Sequence, residues 1–457
     1  MAIVAGIAPG TAPEISALEV QYPPRSQAIY ACTILFFGYT LAFVDRNVVS
    51  LLVVAIEHDL GLSDVQMGLL QGTAFAIFYS LFGFPIAWAV DRFNRRNIVT
   101  GGVAVWSLMT CMAGLSRGFA PFFGARVGVG AGEAAILPSA TSLIADYFPP
   151  AARGRAMGVF ASGIYFGAAT ALIGGGFILH RLHGQTVTLP LLGMLQPWQV
   201  VLVAAGSLGL PLLVATRFLR EPVRGHLRGA GARAGRGVKH DAAGFFATLR
   251  RHPRAIVAHF VGFTAMAFAA YGATAWLPTL FMRDYGWTAQ MVGTRLGLLA
   301  LVLGPLGTVA GGLLADRLEK AGRSAGKFLV GALAAACTFV PAIALGLASQ
   351  AGAAFAAAAV VIFCTSLVWG VAPGALQEIV HGSVLGRVVA VYTALLNLVG
   401  LGLGPPSIAL LGESIAGKHG GLGLAIAIIV PVACVIAFLA FVTSFSAYKA
   451  ARADLER

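Results

Sequence analysis

The sequence has few charged side chains and lacks the motifs of enzymes and metal sites. Only 11% of its 457 residues are charged, whereas soluble domains carry about 25%. The five cysteines lie in or at the ends of apolar runs without CxxC spacing, which excludes a disulfide framework and a clustered metal site. The stretch Gly322–Lys327 is one residue short of a phosphate-binding loop. We therefore expect a chain that is not an enzyme and needs no cofactor or metal.

Long apolar runs fill most of the sequence. Hydrophobic residues make up 58% of the chain, and a helix needs about 20 of them in a row to span a bilayer. Twelve such runs are present, at roughly 28–56, 65–90, 97–116, 121–147, 155–180, 197–219, 255–282, 289–315, 327–349, 352–379, 386–412 and 421–447. The predicted fold class is an all-α membrane protein with twelve transmembrane helices, multi-pass in the plasma membrane or, in a bacterium, the inner membrane.

Basic residues are distributed unequally between the two sets of loops. If the N-terminus is cytoplasmic, the outer loops hold only Arg117, Arg181, Arg283 and Lys418. The remaining basic residues of the loops then lie on the cytoplasmic side, as the positive-inside rule requires. The net charge of +13 thus indicates topology and does not indicate a nucleic-acid partner. Both termini are predicted to be cytoplasmic.

Two landmarks recur and divide the chain into halves. Asp91-Arg92 follows the second run and Asp316-Arg317 follows the eighth; Gly154-Arg155 opens the fifth run and Gly386-Arg387 opens the eleventh. Such a duplication predicts two pseudo-symmetric six-helix halves around a central cavity. The predicted domains are a cytoplasmic tail at 1–26, an N-terminal half at 27–219, a basic cytoplasmic linker at 220–253, a C-terminal half at 254–447 and a cytoplasmic tail at 448–457.

Four ionisable residues fall inside the apolar runs. Asp45 and Arg46 interrupt the first run, and Arg126 and Glu133 interrupt the fourth. Because a charge at bilayer depth costs a few kcal/mol, such residues usually serve a transport pathway or a proton relay. Helix geometry places Asp45 and Arg126 at similar depth, so they could pair, and it places Arg126 and Glu133 on one face. The alternative is that the charges only dock one helix against another.

Other polar and aromatic residues supply weaker candidates. The recurring Asp-Arg pairs, with neighbouring bases, favour a cytoplasmic gate over simple topogenic charge; its predicted members are Asp91, Arg92, Arg95, Arg96, Asp316, Arg317, Arg155 and Arg387. Possible cavity residues within the spans are Tyr165, Tyr271, Trp276, Trp369 and Asn397. A lone aromatic residue in a span more often serves packing or the interfacial belt.

The loop from Asp91 to Arg96 resembles the loop 2–3 signature of the major facilitator superfamily, with Ala87 and Asn94 at positions where glycine is expected. Arg126 with Gly130 is similar to the fourth-helix signature of that superfamily. The resemblance covers the whole chain. It implies the major facilitator fold and transport by alternating access.

Longer stretches resemble the spinster-like family of this superfamily. They are Tyr39–Asn47, Asp59–Asp64, Gly132–Ala134 and Ala145–Pro150. Members of that family move lysophospholipids or sphingoid phosphates. The four charged positions are equally similar to the organic anion:cation symporters, which move sugar acids and similar anions with protons.

The predicted function is secondary active transport of an amphipathic lipid-like anion, coupled to protons, by a monomer in contact with membrane lipids. Asp45 and Glu133 are expected to exchange protons. Arg46 and Arg126 are expected to contact the anion, because a guanidinium fork matches carboxylate and phosphate. One alternative is a proton-coupled symporter of small organic anions such as sugar acids. The other is a non-transporting membrane sensor, which the repeated gate motif disfavours.

Overall fold

The computed structural model describes residues 22–182, 184–190, 193–222, 224, 249–380, 382–417 and 419–455. Twelve of its helices are long and apolar enough to cross a membrane. In chain order they are α1 Arg25–Leu60, α2 Asp64–Arg92, α3 Arg95–Gly114, α4 Phe119–Tyr147, α5 Pro150–Leu182, α6 Pro197–Arg217, α7 Pro253–Arg283, α8 Ala289–Lys320, α9 Gly326–Leu347, α10 Ala351–Gln377, α11 Val384–Ala416 and α12 Leu422–Val442.

These helices confirm the twelve predicted spans and make the chain a multi-pass membrane protein. A short hairpin follows α5, in which β1 (Val187–Leu189) pairs antiparallel with β2 (Gly193–Leu195). A further helix, α13 (Phe445–Leu455), occupies most of the predicted C-terminal tail. Its Tyr448 is buried and donates a 2.5 Å hydrogen bond to the Glu378 carboxylate. Most of the predicted N-terminal tail and of the basic linker lies outside the described residues.

The two halves meet along helix pairs that contain small residues. We call the end with the Phe93–Asn94 turn the inner end and the end with the Gly61–Ser63 turn the outer end, following the predicted orientation. Between α5 and α8, a Cβ atom on Gly293 would lie 2.2 Å from the Leu172 carbonyl oxygen. Only glycine therefore permits this approach, and close backbone contact is the usual way that helices associate in lipid.

The contact between α2 and α11 has a second special feature. Each helix widens into a π-helical turn, at Leu69–Thr73 and Leu396–Leu401 respectively. The Thr73 hydroxyl donates a 2.7 Å hydrogen bond to the Gly402 carbonyl across the two halves. π-Helical turns are rare and often lie at functional sites. Here they lie where the N-terminal and C-terminal halves meet.

Candidate functional site

Arg46 of α1 and Glu133 of α4 form an ion pair between the two helices. Arg46 Nε lies 2.6 Å from Glu133 Oε2, and the Glu133 side chain has no exposed surface. The guanidinium also lies over the rings of Phe43, Phe75 and Tyr79, at 4.7, 4.4 and 4.9 Å from their centroids. The aromatic rings replace part of the hydration that a buried cation loses. This arrangement fixes the direction in which Arg46 points.

The second arginine of the site is held by main-chain oxygens. Arg126 is 2% exposed; its Nε donates to the Leu70 carbonyl at 3.2 Å and its Nη1 to the Asp45 carbonyl at 3.1 Å. The predicted pairing of Arg126 with Asp45 therefore involves the Asp45 main chain and is not a carboxylate ion pair.

Helix geometry explains this correction. Successive side chains of a helix point about 100° apart, so Arg46 and Asp45 of α1 cannot face the same neighbours. Arg46 faces Glu133, while the Asp45 carboxyl group lies beside Thr110 of α3. Asp45 is 2% exposed, and its Oδ1 has no hydrogen-bond partner in the described part of the chain. The structure thus brings all four predicted ionisable residues together, with the partners rearranged.

A cavity of about 190 Å³ adjoins these residues between the two halves. Arg46, Arg126 and Gln71 line it from the N-terminal half. Of the predicted cavity residues, the structure places three in the wall, Tyr165, Tyr271 and Trp369. The Tyr165 hydroxyl also forms a hydrogen bond with Thr308 of α8, across the two halves.

The other two predicted cavity residues lie outside the lining. Trp276 is fully buried, and its indole nitrogen donates to the Pro405 carbonyl at 2.8 Å. Asn397 is 6% exposed and donates to the Thr393 carbonyl at 2.8 Å within its own helix. Both residues serve packing in the C-terminal half, because their polar groups are already bonded to main-chain oxygens.

The predicted gate residues at the inner end fall into two groups. Arg95 is buried and pairs with Asp146 of α4 at 2.5 Å and with Glu221, at the start of the predicted linker, at 2.7 Å. The main-chain nitrogen of Arg96 also donates to Glu221, at 3.1 Å. The remaining members are exposed in this conformation: Asp91, Arg92, Arg155, Asp316, Arg317 and Arg387. Their role as a gate stays a prediction.

Charged residues that the sequence analysis did not assign connect the halves at the outer end. Arg283 of α7 bonds to the Glu57 carboxylate of α1 and lies 2.8 Å from Asp64 Oδ1 of α2. The His419 ring lies 3.8 Å from the same Asp64 oxygen. We call Glu57, Asp64 and Arg283 the outer latch. Ligand atoms of Glu57, Asp64 and His419 lie within 4.8 Å of one another, as in metal sites, but the Arg283 guanidinium already binds both carboxylates.

A sequence signal for the outer latch does exist. Glu57 and Asp64 flank the α1–α2 turn, and Arg283 is one of few basic residues on the predicted outer side. A lone basic residue in an outer loop fits a topological charge equally well, so the sequence does not show that Arg283 binds Glu57 and Asp64. Glu413 of α11 adds another link between the halves, since its carboxylate accepts a 2.8 Å hydrogen bond from the Val65 main chain.

Comparisons with known proteins agree with this architecture. The family model of the Major Facilitator Superfamily matches residues 35–405. An MFS-type efflux pump of Mycolicibacterium smegmatis is 30% identical over 66% of this chain and 65% of its own length. A probable L-galactonate transporter of Escherichia coli is 27% identical over 64% of this chain and 62% of its own length. The chain thus matches slightly under two thirds of each of these relatives.

A solved structure is similar over nearly the whole chain. It is a bacterial homolog of the human lysosomal transporter Spinster, in an inward-facing and unoccupied conformation. The two chains share 26% identity, the match covers 95% of this chain and 98% of the other, and the TM-score is 0.74. Family, fold and site geometry agree that this chain belongs to the Major Facilitator Superfamily of transporters, where it resembles the spinster-like members.

Proposed function

We propose that the chain is a proton-coupled secondary transporter of an organic anion, working by alternating access. The observation that carries the proposal is the pair of the partly exposed Arg46 with the fully buried Glu133 at the wall of the cavity between the halves. One cation there is held by an acid that a single proton can neutralise. A pair of this kind links the binding of a proton to the binding of an anion.

The coupling follows from competition for Arg46. While Glu133 is ionised, its carboxylate occupies the guanidinium at 2.6 Å. Protonation removes the charge of Glu133 and leaves Arg46 free to bind the carboxylate of a substrate in the same geometry. Asp45 supplies a second proton site, and its main chain holds Arg126 in place. Proton and anion therefore bind together and leave together.

Alternating access requires each end of the cavity to close in turn. The outer latch joins the halves in the present conformation. In the opposite conformation the exposed charges of the inner end would come together, as predicted for Asp91, Arg92, Asp316 and Arg317. We propose that the inner end is cytoplasmic.

The site supports a small organic anion best, because two arginines line a cavity of about 190 Å³. Similarity to the L-galactonate transporter points in the same direction. A lipid-like anion is the second candidate, and similarity to the bacterial Spinster homolog favours it.

Uptake into proteoliposomes tests this function. Labelled galactonate, benzoate and lysophosphatidate are offered with and without an imposed pH gradient, to the wild type and to Glu133→Gln. We expect that at least one anion accumulates only with the gradient, and that Glu133→Gln abolishes this accumulation. Asp454→Asn, which changes a half-buried acid of α13 outside the cavity lining, is the control and should behave as wild type. Equal accumulation of an anion with and without the pH gradient would contradict proton coupling.

A further inference from the structure

The two walls of the cavity differ in chemistry, and this difference restricts the substrate. Building on the proposed function, we infer that the substrate is a small amphipathic monoanion: one carboxylate on an apolar body about the size of a single ring. This class differs from polyhydroxylated sugar acids and from long-chain lipids. The inference rests on donors in one wall, apolar surface in the other, and the size and charge of the site.

The wall from the N-terminal half offers unused hydrogen-bond donors. Arg46 Nη2 and Gln71 Nε2 are both buried and have no partner in the described part of the chain. Both residues line the cavity together with Arg126. Because an unsatisfied buried donor costs about 1–3 kcal/mol, both groups favour a conformation in which they meet an acceptor. The two atoms have almost no accessible surface here, so a substrate carboxylate reaches them once protonated Glu133 releases Arg46.

The wall from the C-terminal half is largely apolar. Trp369 and Tyr271 lie with ring centroids 5.9 Å apart, tilted by 57°, and Leu296, Ile362 and Pro278 extend this surface. Its serine and threonine hydroxyl groups already donate to their own helices, which leaves the Tyr271 hydroxyl: Thr274 donates to the Ala270 carbonyl, Thr365 to Val361 and Ser366 to Ile362, each at 2.7 Å. The wall therefore suits an aromatic or aliphatic body better than a chain of hydroxyl-bearing carbons.

Size and charge restrict the substrate further. The cavity measures about 190 Å³, and an apolar cavity of about 150 Å³ in another protein accepts benzene. A ring with a carboxylate thus matches this space, whereas a long acyl chain would extend beyond it. The site contains two arginines and two acids, so one bound proton leaves one net positive charge. A monoanion neutralises that charge.

Binding by the purified full chain distinguishes the substrate classes. The probes are benzoate, benzene-1,2-dicarboxylate, galactonate and lysophosphatidate, and binding is followed by calorimetry at two pH values. We expect benzoate to bind at least tenfold more tightly than the other three. Preferred binding of any of the other three would overturn the inference but leave the proposed organic-anion transport intact. Binding of none of them, together with no gradient-driven uptake, would overturn both.

Variants of the apolar wall provide a second readout. Trp369→Ala should weaken benzoate binding about tenfold and leave galactonate binding unchanged, while Trp369→Phe should restore most of the affinity. Phe438→Ala, on α12 and outside the cavity lining, is the matched control and should bind as wild type. Unchanged benzoate binding by a folded Trp369→Ala variant would contradict a substrate body seated on the apolar wall.

Discussion

Arg95 illustrates how a buried charge is stabilised and how far its role can be predicted from sequence. The sequence signature suggested a gate residue that would change partners. In the structure its side chain is 1% exposed and bonded to Asp146, to the Ser142 hydroxyl and to Glu221 at the start of the linker. A role of Arg95 in the gate stays a prediction. These contacts predict a role in stability.

Substitution of Arg95 tests that role. Arg95→Met leaves the Asp146 carboxylate buried at 1% exposure without its cation, which costs about 3–5 kcal/mol. We expect a clear fall in the unfolding temperature in detergent. The double variant Arg95→Met/Asp146→Leu removes the uncompensated charge and should recover much of the loss. Equal unfolding temperatures for the single variant and the wild type would contradict this account.

At the same scale, the sequence identified the ionisable residues of the site but not all of their partners. Asp45, Arg46, Arg126 and Glu133 stood out because charges in apolar runs are expensive. The turn of 100° between neighbouring side chains decides that Arg46, and not Asp45, faces the cavity. Gln71, which also lines the cavity, carries no charge and gave no comparable signal.

At the scale of elements, glycines determine how closely α5 and α8 approach. A Cβ on Gly293 would meet the Leu172 carbonyl oxygen at 2.2 Å, and a Cβ on Gly176 would meet the Ala289 carbonyl oxygen at 2.7 Å. Backbone atoms cannot rotate away as a side chain can, so these contacts define the outer part of the boundary between the halves. The sequence shows glycine-rich helices but does not show which glycine faces the opposite half.

We expect Gly293→Ala to separate α5 and α8 and to open the outer end more often. Labelling of a cysteine introduced at Ser50, which lines the cavity, by an impermeant maleimide added from outside should become faster. Gly174→Ala is the matched control, because a Cβ at that glycine of α5 meets nothing within 4 Å. Similar labelling rates for the two variants would show that this contact does not control closure.

At the scale of the whole molecule, the repeated landmarks predicted two halves, and the fold confirms twelve spans in the major facilitator arrangement. The length of the hydrophobic runs and the duplicated motif suffice to predict the spans and the two halves, since each is recognised in short stretches of the sequence. The outer latch joins residues more than 200 positions apart, and no local pattern records such a pairing. The conformation in which the outer end is closed was likewise not predictable from sequence.

The outer latch is expected to stabilise the conformation with the outer end closed relative to the outward-open conformation. Arg283→Gln leaves Glu57 and Asp64 as neighbouring buried acids with only the His419 ring beside them, and losing such a charge pair costs about 2 kcal/mol. The outward-open population should rise about thirtyfold. The readout is again the rate of maleimide labelling at Ser50→Cys. The parent chain, with only its five native cysteines, gives the background rate.

Arg295→Gln provides the control for this experiment. Arg295 lies over the Trp287 ring at 4.5 Å and is not part of the outer latch, so its replacement should leave the labelling rate unchanged. If the Ser50→Cys cysteine is labelled no faster in the Arg283→Gln variant than in the Arg295→Gln variant, the outer latch does not hold the outer end closed.

The central claim is that one site binds proton and anion together through the Arg46–Glu133 pair. Proteoliposomes that enclose a pH-sensitive dye test it directly, with a concentration gradient of the transported anion as the only driving force. The account predicts that adding the anion to wild-type vesicles acidifies the interior. It predicts that Glu133→Gln vesicles preloaded with unlabelled anion exchange it for labelled anion without any pH change. Anion uptake by the wild type with no movement of protons would contradict it.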